Sequence, residues 1–220
     1  MKSDEGLAAH LETRERVGEK LVSPSAQRNC GPIGQTLAPF LPENAHVLEI
    51  ASGTGQHGAH MCGLRADIHW QMSDIDAPSR ASQNAYALDF PKQMRPSLPL
   101  DMMLEGWWQA VSGIDVIYCA NMIHIAPWEA ALGLAQGCAR LLQNGGMLCL
   151  YGPFLLEEDS AVSNLEFDHS LKGRNPKWGV RTLESVKHIF ADRGLNLRTA
   201  IEMPRNNLFL VFALEPKSEI

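Results

Sequence analysis

The sequence predicts an α/β protein with a doubly wound, mainly parallel sheet, and three observations carry that expectation. Short apolar runs alternate with segments of helical periodicity, and a glycine-bearing turn follows the first clear strand. The last two predicted strands are joined by a link too short for a crossover, so they must be antiparallel neighbours. At 220 residues, with 45% hydrophobic side chains, the chain has enough apolar surface for the core of one such domain.

Residues 1 to 22 are rich in Lys, Arg and Glu with scattered Leu7, Leu11, Val17 and Leu21. They read as a marginal helix or a mobile extension ahead of a domain over residues 23 to 220. Ser23-Pro24-Ser25 breaks the chain, and a helix is expected over 32 to 40, stopped by Pro42. Val47-Leu48-Glu49-Ile50 is the first strand, followed by a turn through Gly53 and Gly55 and a helix over 56 to 64. A strand over 68 to 73 ends on Asp74-Ile75-Asp76, and a helix over 79 to 88 follows. Pro91, Pro96 and Pro99 then lead to a short apolar strand over 98 to 103.

The strand over 115 to 120 is clearer, and runs through Asn121 and His124 into a helix over 127 to 142 that Asn144-Gly145-Gly146 stops. A strand over 147 to 151, a long link over 153 to 181, and a helix over 182 to 193 come next. Strands over 195 to 202 and 208 to 214 close the chain.

The net charge of −6 carries no basic block, so broad attraction to nucleic-acid phosphate is not expected. Cys30, Cys62, Cys119, Cys138 and Cys149 show no C-x-x-C pairing, and no apolar run approaches the ~20 residues of a membrane span. A soluble cytoplasmic protein with reduced thiols follows as the expectation. His57, His60 and Cys62 read as incidental members of an apolar helix, and no metal is expected.

Ligands of open α/β sheets bind outside the carboxyl ends of the strands. Glu49, Gly53 and Gly55 lie there, in a Glu-x-x-x-Gly-x-Gly pattern instead of the Gly-x-Gly-x-x-Gly that lodges a pyrophosphate. A carboxylate before the turn repels phosphate and suits a cationic ligand, such as the amino group of S-adenosylmethionine. Asp74, about 25 residues on, is placed to accept bonds from ribose hydroxyls, with Asp76 as the fallback. Asp101 reads equally as a partner of the adenine amino group or as the N-cap of a helix over 103 to 110.

Asn121 and His124 follow the fourth strand at the same edge. His124 is a candidate proton acceptor or a helix cap, and Asn121 is a candidate for orienting the acceptor. Tyr151 is a weaker catalytic candidate, and Trp128 is read as pocket wall or core. The long link reads as a lid whose Asn164, Asp168, Arg174 and Trp178 contact substrate.

These stretches together resemble a specific family. The glycine turn, Trp70-Gln71-Met72-Ser73-Asp74-Ile75-Asp76, Asn121-Met122-Ile123-His124-Ile125-Ala126-Pro127-Trp128, Tyr151-Gly152-Pro153-Phe154, Ser163-Asn164 with Phe167-Asp168, and Met203-Pro204 with Asn206-Asn207 carry the likeness. So does Ser23-Pro24-Ser25-Ala26-Gln27-Arg28-Asn29, which extends it over about residues 21 to 214. The chain resembles a class I methyltransferase family that includes the methyltransferase-like 26 protein of animals.

The resemblance implies a Rossmann-like sheet of seven strands in the order 3-2-1-4-5-7-6 with strand seven antiparallel, and S-adenosylmethionine as cofactor with S-adenosylhomocysteine as product. It implies that Glu49, Gly53 and Gly55 hold the methionine part, Asp74 the ribose and Asp101 the adenine side. Asn121 would lie beside the sulfonium, and Arg28 and Asn29, just before the first helix, would close over the amino-acid end. Ala51 stands where the wider superfamily usually has Gly. The function that follows is methyl transfer to a small or medium polar acceptor. The rivals are a nicotinamide-dependent oxidoreductase and a cofactor-binding adaptor without activity; oligomeric state is left open.

Overall fold

Ser23 opens the first long helix: its hydroxyl accepts the amide of Ala26 at 3.2 Å, and Pro24 occupies the first helical turn, where no N–H is needed. The computed structural model describes residues 13–143 and 145–214. These fall into two compact units, one ending at Asp101 and one beginning at Met102.

The first unit starts with a hairpin of β1 (Glu15–Val17) and β2 (Lys20–Val22), turned at Gly18-Glu19. The expected helix or mobile segment is therefore a hairpin within the described residues; residues 1–12 lie outside them. Its strands are too short and too polar to announce themselves by alternation, and its anchors lie on distant residues: Ser82 Oγ accepts the Leu21 amide at 2.7 Å.

Helix α1 (Pro24–Leu37) begins eight residues before the expected start, because Pro32 sits inside it rather than at its head. Then come β3 (His46–Ile50), α2 (Gln56–Leu64), β4 (His69–Met72) and α3 (Ala77–Ala87). Strands β3 and β4 pair in parallel, Val47 beside Trp70 and Glu49 beside Met72. Leu37, Leu48, Ile68 and Met72 are fully buried, and Ile33, Val47 and Trp70 are 1% exposed, so this layer has a dry core. The strand expected over 98 to 103 does not form. Only isolated parallel bridges, Trp70 with Met94 and Ser73 with Leu98, follow β4, since three prolines between 91 and 99 remove ladder donors.

The second unit contains β5 (Val116–Ala120), α4 (Trp128–Leu141), β6 (Met147–Pro153), α5 (Val162–Arg174), α6 (Leu183–Ala191), β7 (Leu195–Met203) and β8 (Asn207–Leu214). Asn144, part of the expected stop after α4, lies outside the described residues. Strand β6 is parallel to β5, while β8 is antiparallel to both β6 and β7. The main sheet has six strands, in the order β4-β3 in the first unit and β5-β6-β8-β7 in the second. The α/β class and the antiparallel last strand match expectation; the seventh strand is the one reduced to bridges.

Candidate functional site

The turn after β3 and the end of β4 form one hydrogen-bonded structure in the first unit. Asp74 Oδ2 accepts the Gly53 amide at 2.9 Å and Oδ1 accepts the Asp76 amide at 2.9 Å. Each oxygen of the carboxylate thus holds one backbone donor and keeps a lone pair for another. Asp74 is 6% exposed, and burial pushes its pKa up, with Asp76 adding to the rise; the two backbone bonds and the charge of Arg14 oppose it. Asp76 is otherwise engaged: it caps α3 by accepting the amide and hydroxyl of Ser79 at 2.9 and 2.6 Å.

Gly53 and Gly55 both take the left-handed backbone, at φ +58° and +93°. A side chain on Gly55 would meet Gln83 Cα at 3.1 Å, whereas one on Gly53 would find nothing closer than Arg14 Nη2 at 3.6 Å. Among the described residues, Arg14 Nη2 is thus the atom that faces Gly53 where a side chain would begin. Ala51 is also left-handed, at φ +53°, so the residue that replaces the usual Gly keeps a glycine's conformation.

Glu49 departs from expectation. It is 1% exposed, its Oε2 accepts the Trp70 indole N–H at 2.9 Å, and its Oε1 is 3.7 Å from His57 Nδ1. Its carboxylate is an internal post joining β3 to β4 and α2, not a group presented to a ligand. Arg28 and Asn29 lie within α1 rather than ahead of it, Arg28 on an exposed face. Asp101 is half-buried and caps no helix over 103 to 110; the only helical piece there is a 3-10 turn, Trp107–Ala110, that begins after Gly106.

In the second unit, Asn121 sits at φ +61° at the end of β5, its amide bonded to the Tyr151 carbonyl at 2.8 Å. Its carbonyl accepts the His124 amide at 3.0 Å and so closes a 3-10 turn, Met122–His124. His124 is fully buried. Its Nδ1 accepts the Arg181 amide at 3.3 Å, which leaves the ring hydrogen on Nε2. Burial, then the charge of Arg181, lower its pKa to about 3, against a smaller upward pull from Gly179. In that arrangement Nδ1 is taken by a backbone amide, and the buried Nε2 has no hydrogen-bond partner among the described residues. Tyr151 is 3% exposed, and burial raises its pKa.

The expected lid is mostly helix: α5 occupies its middle, and its polar residues bind the chain to itself. Asn164 Nδ2 donates to the carbonyls of Phe154 at 3.2 Å and Asn206 at 2.9 Å. Asp168 accepts the Val180 amide at 2.9 Å and the Lys172 ammonium at 2.6 Å. Arg174 is exposed at the end of α5, and Trp178 is half-buried. Trp128 is half-buried under Arg181, whose guanidinium carbon lies 5.4 Å from its ring centroid.

Arg181 is a residue the sequence did not single out for this task. Its Nε donates to the Ile123 carbonyl at 3.0 Å and its Nη2 to those of Ala126 and Lys177 at 2.9 Å. It fixes the Asn121 to Trp128 segment from a point more than fifty residues away, a separation that no local pattern signals. Among the described residues, no three His, Cys, Asp or Glu side chains converge as a metal set, and no helix is long and apolar enough to cross a membrane.

Several solved structures share this fold. TnmH is 22% identical with a TM-score of 0.69, over 87% of this chain and 56% of its own. CalO1, a methyltransferase in calicheamicin biosynthesis solved with S-adenosylhomocysteine, is 17% identical with a TM-score of 0.69, over 86% and 54%. An O-methyltransferase family 2 protein from Planctomyces limnophilus, in complex with apigenin, is 14% identical with a TM-score of 0.69, over 91% and 62%. The chain therefore spans between half and two thirds of the length of each of these proteins. A family described as protein of unknown function (DUF938) matches residues 20–214, which is most of the sequence, and the chain belongs to that family.

Proposed function

We propose that the protein is a cytosolic S-adenosylmethionine-dependent methyltransferase acting on a small or medium polar acceptor, with residues 23 to 220 as its methyltransferase domain. The single observation that carries this reading is the Gly53–Asp74 unit: a carboxylate held by two backbone donors, with a lone pair spare on each oxygen, beside a turn that has no side chain of its own at Gly53 and Gly55. Its donor set fits a ribose diol. The likeness to CalO1, solved with S-adenosylhomocysteine, and to a methyltransferase in complex with apigenin supports the same cofactor and a small acceptor. Kinship with methyltransferase-like 26 belongs to the same reading.

S-adenosylmethionine, when bound, supplies an electrophilic methyl on a sulfonium. Within the first unit Asp74 accepts the ribose hydroxyls, the backbone at Gly53 admits the ligand closely, and Asp101 serves the adenine side. Glu49 acts through its charge from below the turn, without direct contact. In the second unit Asn121 is the group assigned to orient the acceptor, with Tyr151 as a further hydrogen-bond partner. His124 holds no proton-accepting role; it fixes the turn that carries Asn121. Alignment of the acceptor would then supply the catalysis, with the acceptor's proton passing to bulk solvent as the product leaves.

Thermal-shift titration tests the reading against the oxidoreductase alternative. S-adenosylhomocysteine raises the unfolding midpoint, and NAD and NADP do not. A rise with NAD or NADP alone would refute it. Labelled S-adenosylmethionine incubated with a size-fractionated cell extract distinguishes an enzyme from an inactive binder, since only an enzyme transfers label to a small acceptor.

A further inference from the structure

Arg14 stands directly before β1, half-buried, in the segment that sequence patterns leave without a role. Its Nη1 donates to Ser79 Oγ at 2.8 Å, and Ser79 in turn donates to Asp76 at the head of α3. Among the described residues that is its only hydrogen bond, although a guanidinium carries five donors. Its Nη2 is the nearest atom, at 3.6 Å, to where a side chain on Gly53 would begin, and Gly53 is the residue whose amide Asp74 accepts. Unspent donors and unspent acceptors thus lie on the same bare stretch of the turn.

The hairpin that follows Arg14 is anchored, not loosely attached. Leu21 bonds to Ser82 through its amide at 2.7 Å and to the Tyr86 hydroxyl through its carbonyl at 3.3 Å. Lys20 pairs with Asp89 and lies 4.9 Å from the Tyr86 ring centroid. The Ser23 amide donates at 2.7 Å to Gln56 Oε1, which also accepts Thr54 Oγ1 at 2.8 Å. Lys20, Leu21 and Ser23, which follow Arg14, are therefore fixed to α3 and to Gln56 beside the glycine turn.

We propose that Arg14 is a cofactor-binding residue that donates to the ribose hydroxyl oxygens whose hydrogens Asp74 accepts. A hydroxyl is both donor and acceptor. A carboxylate alone satisfies only its hydrogen, so a diol taken out of water beside Asp74 leaves its oxygens short of donors. The guanidinium supplies them from the opposite side and offsets the carboxylate's charge. The residue that precedes β1 thereby becomes part of the cofactor site in the first unit.

The inference rests on the cofactor reading above, and the test separates the two. S-adenosylhomocysteine is titrated calorimetrically into the full-length wild type, R14A, R14Q and R16A, and 5′-methylthioadenosine, which has the ribose and adenine but no amino-acid end, is measured by displacement. Unliganded unfolding midpoints are recorded alongside. Arg16, exposed and paired with Glu19 at 3.7 Å, is the hairpin control. The expected result is a loss of about tenfold or more for S-adenosylhomocysteine in both Arg14 variants, an equal loss for 5′-methylthioadenosine, no loss in R16A, and unchanged midpoints. Wild-type affinity in R14Q and R14A overturns the inference. So does a loss confined to S-adenosylhomocysteine, which would assign the guanidinium to the amino-acid end. A wild type that binds neither compound refutes the cofactor reading itself.

Discussion

The carboxylate of Asp74 accepts the amide of Gly53 at 2.9 Å, so the acidic end of β4 and the turn after β3 are braced as one unit. That bond explains how a strained turn is held without a glycine at its first position. The strain and the bracing lead to separate expectations.

Ala51 occupies the left-handed region at φ +53°. That conformation costs an L-residue roughly 1–2 kcal/mol, and glycine avoids it while losing roughly 0.5–1 kcal/mol more backbone entropy on folding. Ala51→Gly is expected to stabilise the protein by about 0.5 kcal/mol, read by urea unfolding, without weakening S-adenosylhomocysteine binding. A destabilised variant would mean that the Ala51 methyl contributes packing that outweighs its strain.

His124 titrates at about 3 in the folded protein against an ordinary 6.5. Below 6.5 the unfolded chain takes up a proton that the native imidazole refuses. Stability from this site is therefore complete above 6.5 and is lost as pH falls toward the folded value, by about 1.4 kcal/mol per unit. His124→Asn, whose carbonyl can still accept the Arg181 amide, should be less stable near neutrality yet show a shallower acid decline. Parallel slopes in urea titrations across that range would contradict the buried neutral state.

Gly152 lies where a side chain would meet His124 Nε2 at 2.7 Å and Asn121 Oδ1 at 3.1 Å; the His124 ring is tied through Nδ1 to the Arg181 amide, and Asn121 through its backbone to Tyr151 and His124. Gly152→Ala should cost about 1–3 kcal/mol and lower the unfolding midpoint, since neither neighbour is the loose end of a flexible chain. An unchanged midpoint would show that the Asn121 turn yields freely.

Asn164 joins the head of α5 to the carbonyls of Phe154 and Asn206. Asn164→Ala strands two carbonyls and is expected to destabilise by about 1–3 kcal/mol without changing the affinity for S-adenosylhomocysteine. Calorimetry on the variant checks the second part, and a large affinity loss would return Asn164 to a ligand role.

Sequence periodicity located α2 to the residue and the strands of the sheet to within one or two positions, because buried apolar runs and Gly or Pro boundaries are local signals. The glycine turn and Asp74 were legible for the same reason. What escaped were features set by distant partners: the hairpin that depends on Ser82 and Tyr86, the Arg181 bonds across the Asn121 segment, and the burial of Glu49 against Trp70. His124 shows the limit most clearly. Its place at a strand end suggests a base, whereas the contacts that tie its ring into the fold, the Arg181 amide on Nδ1 and the Phe154 ring 5.2 Å away between centroids, come from distant residues.

On the proposed function, Asp74 holds the ribose of S-adenosylmethionine or its product. Isothermal titration of S-adenosylhomocysteine into wild type and Asp74→Ala tests it most directly. Saturable one-to-one binding to the wild type is expected, with an affinity lowered more than tenfold in the variant, about 1.4 kcal/mol or more. Equal affinity in a folded Asp74→Ala protein would contradict it.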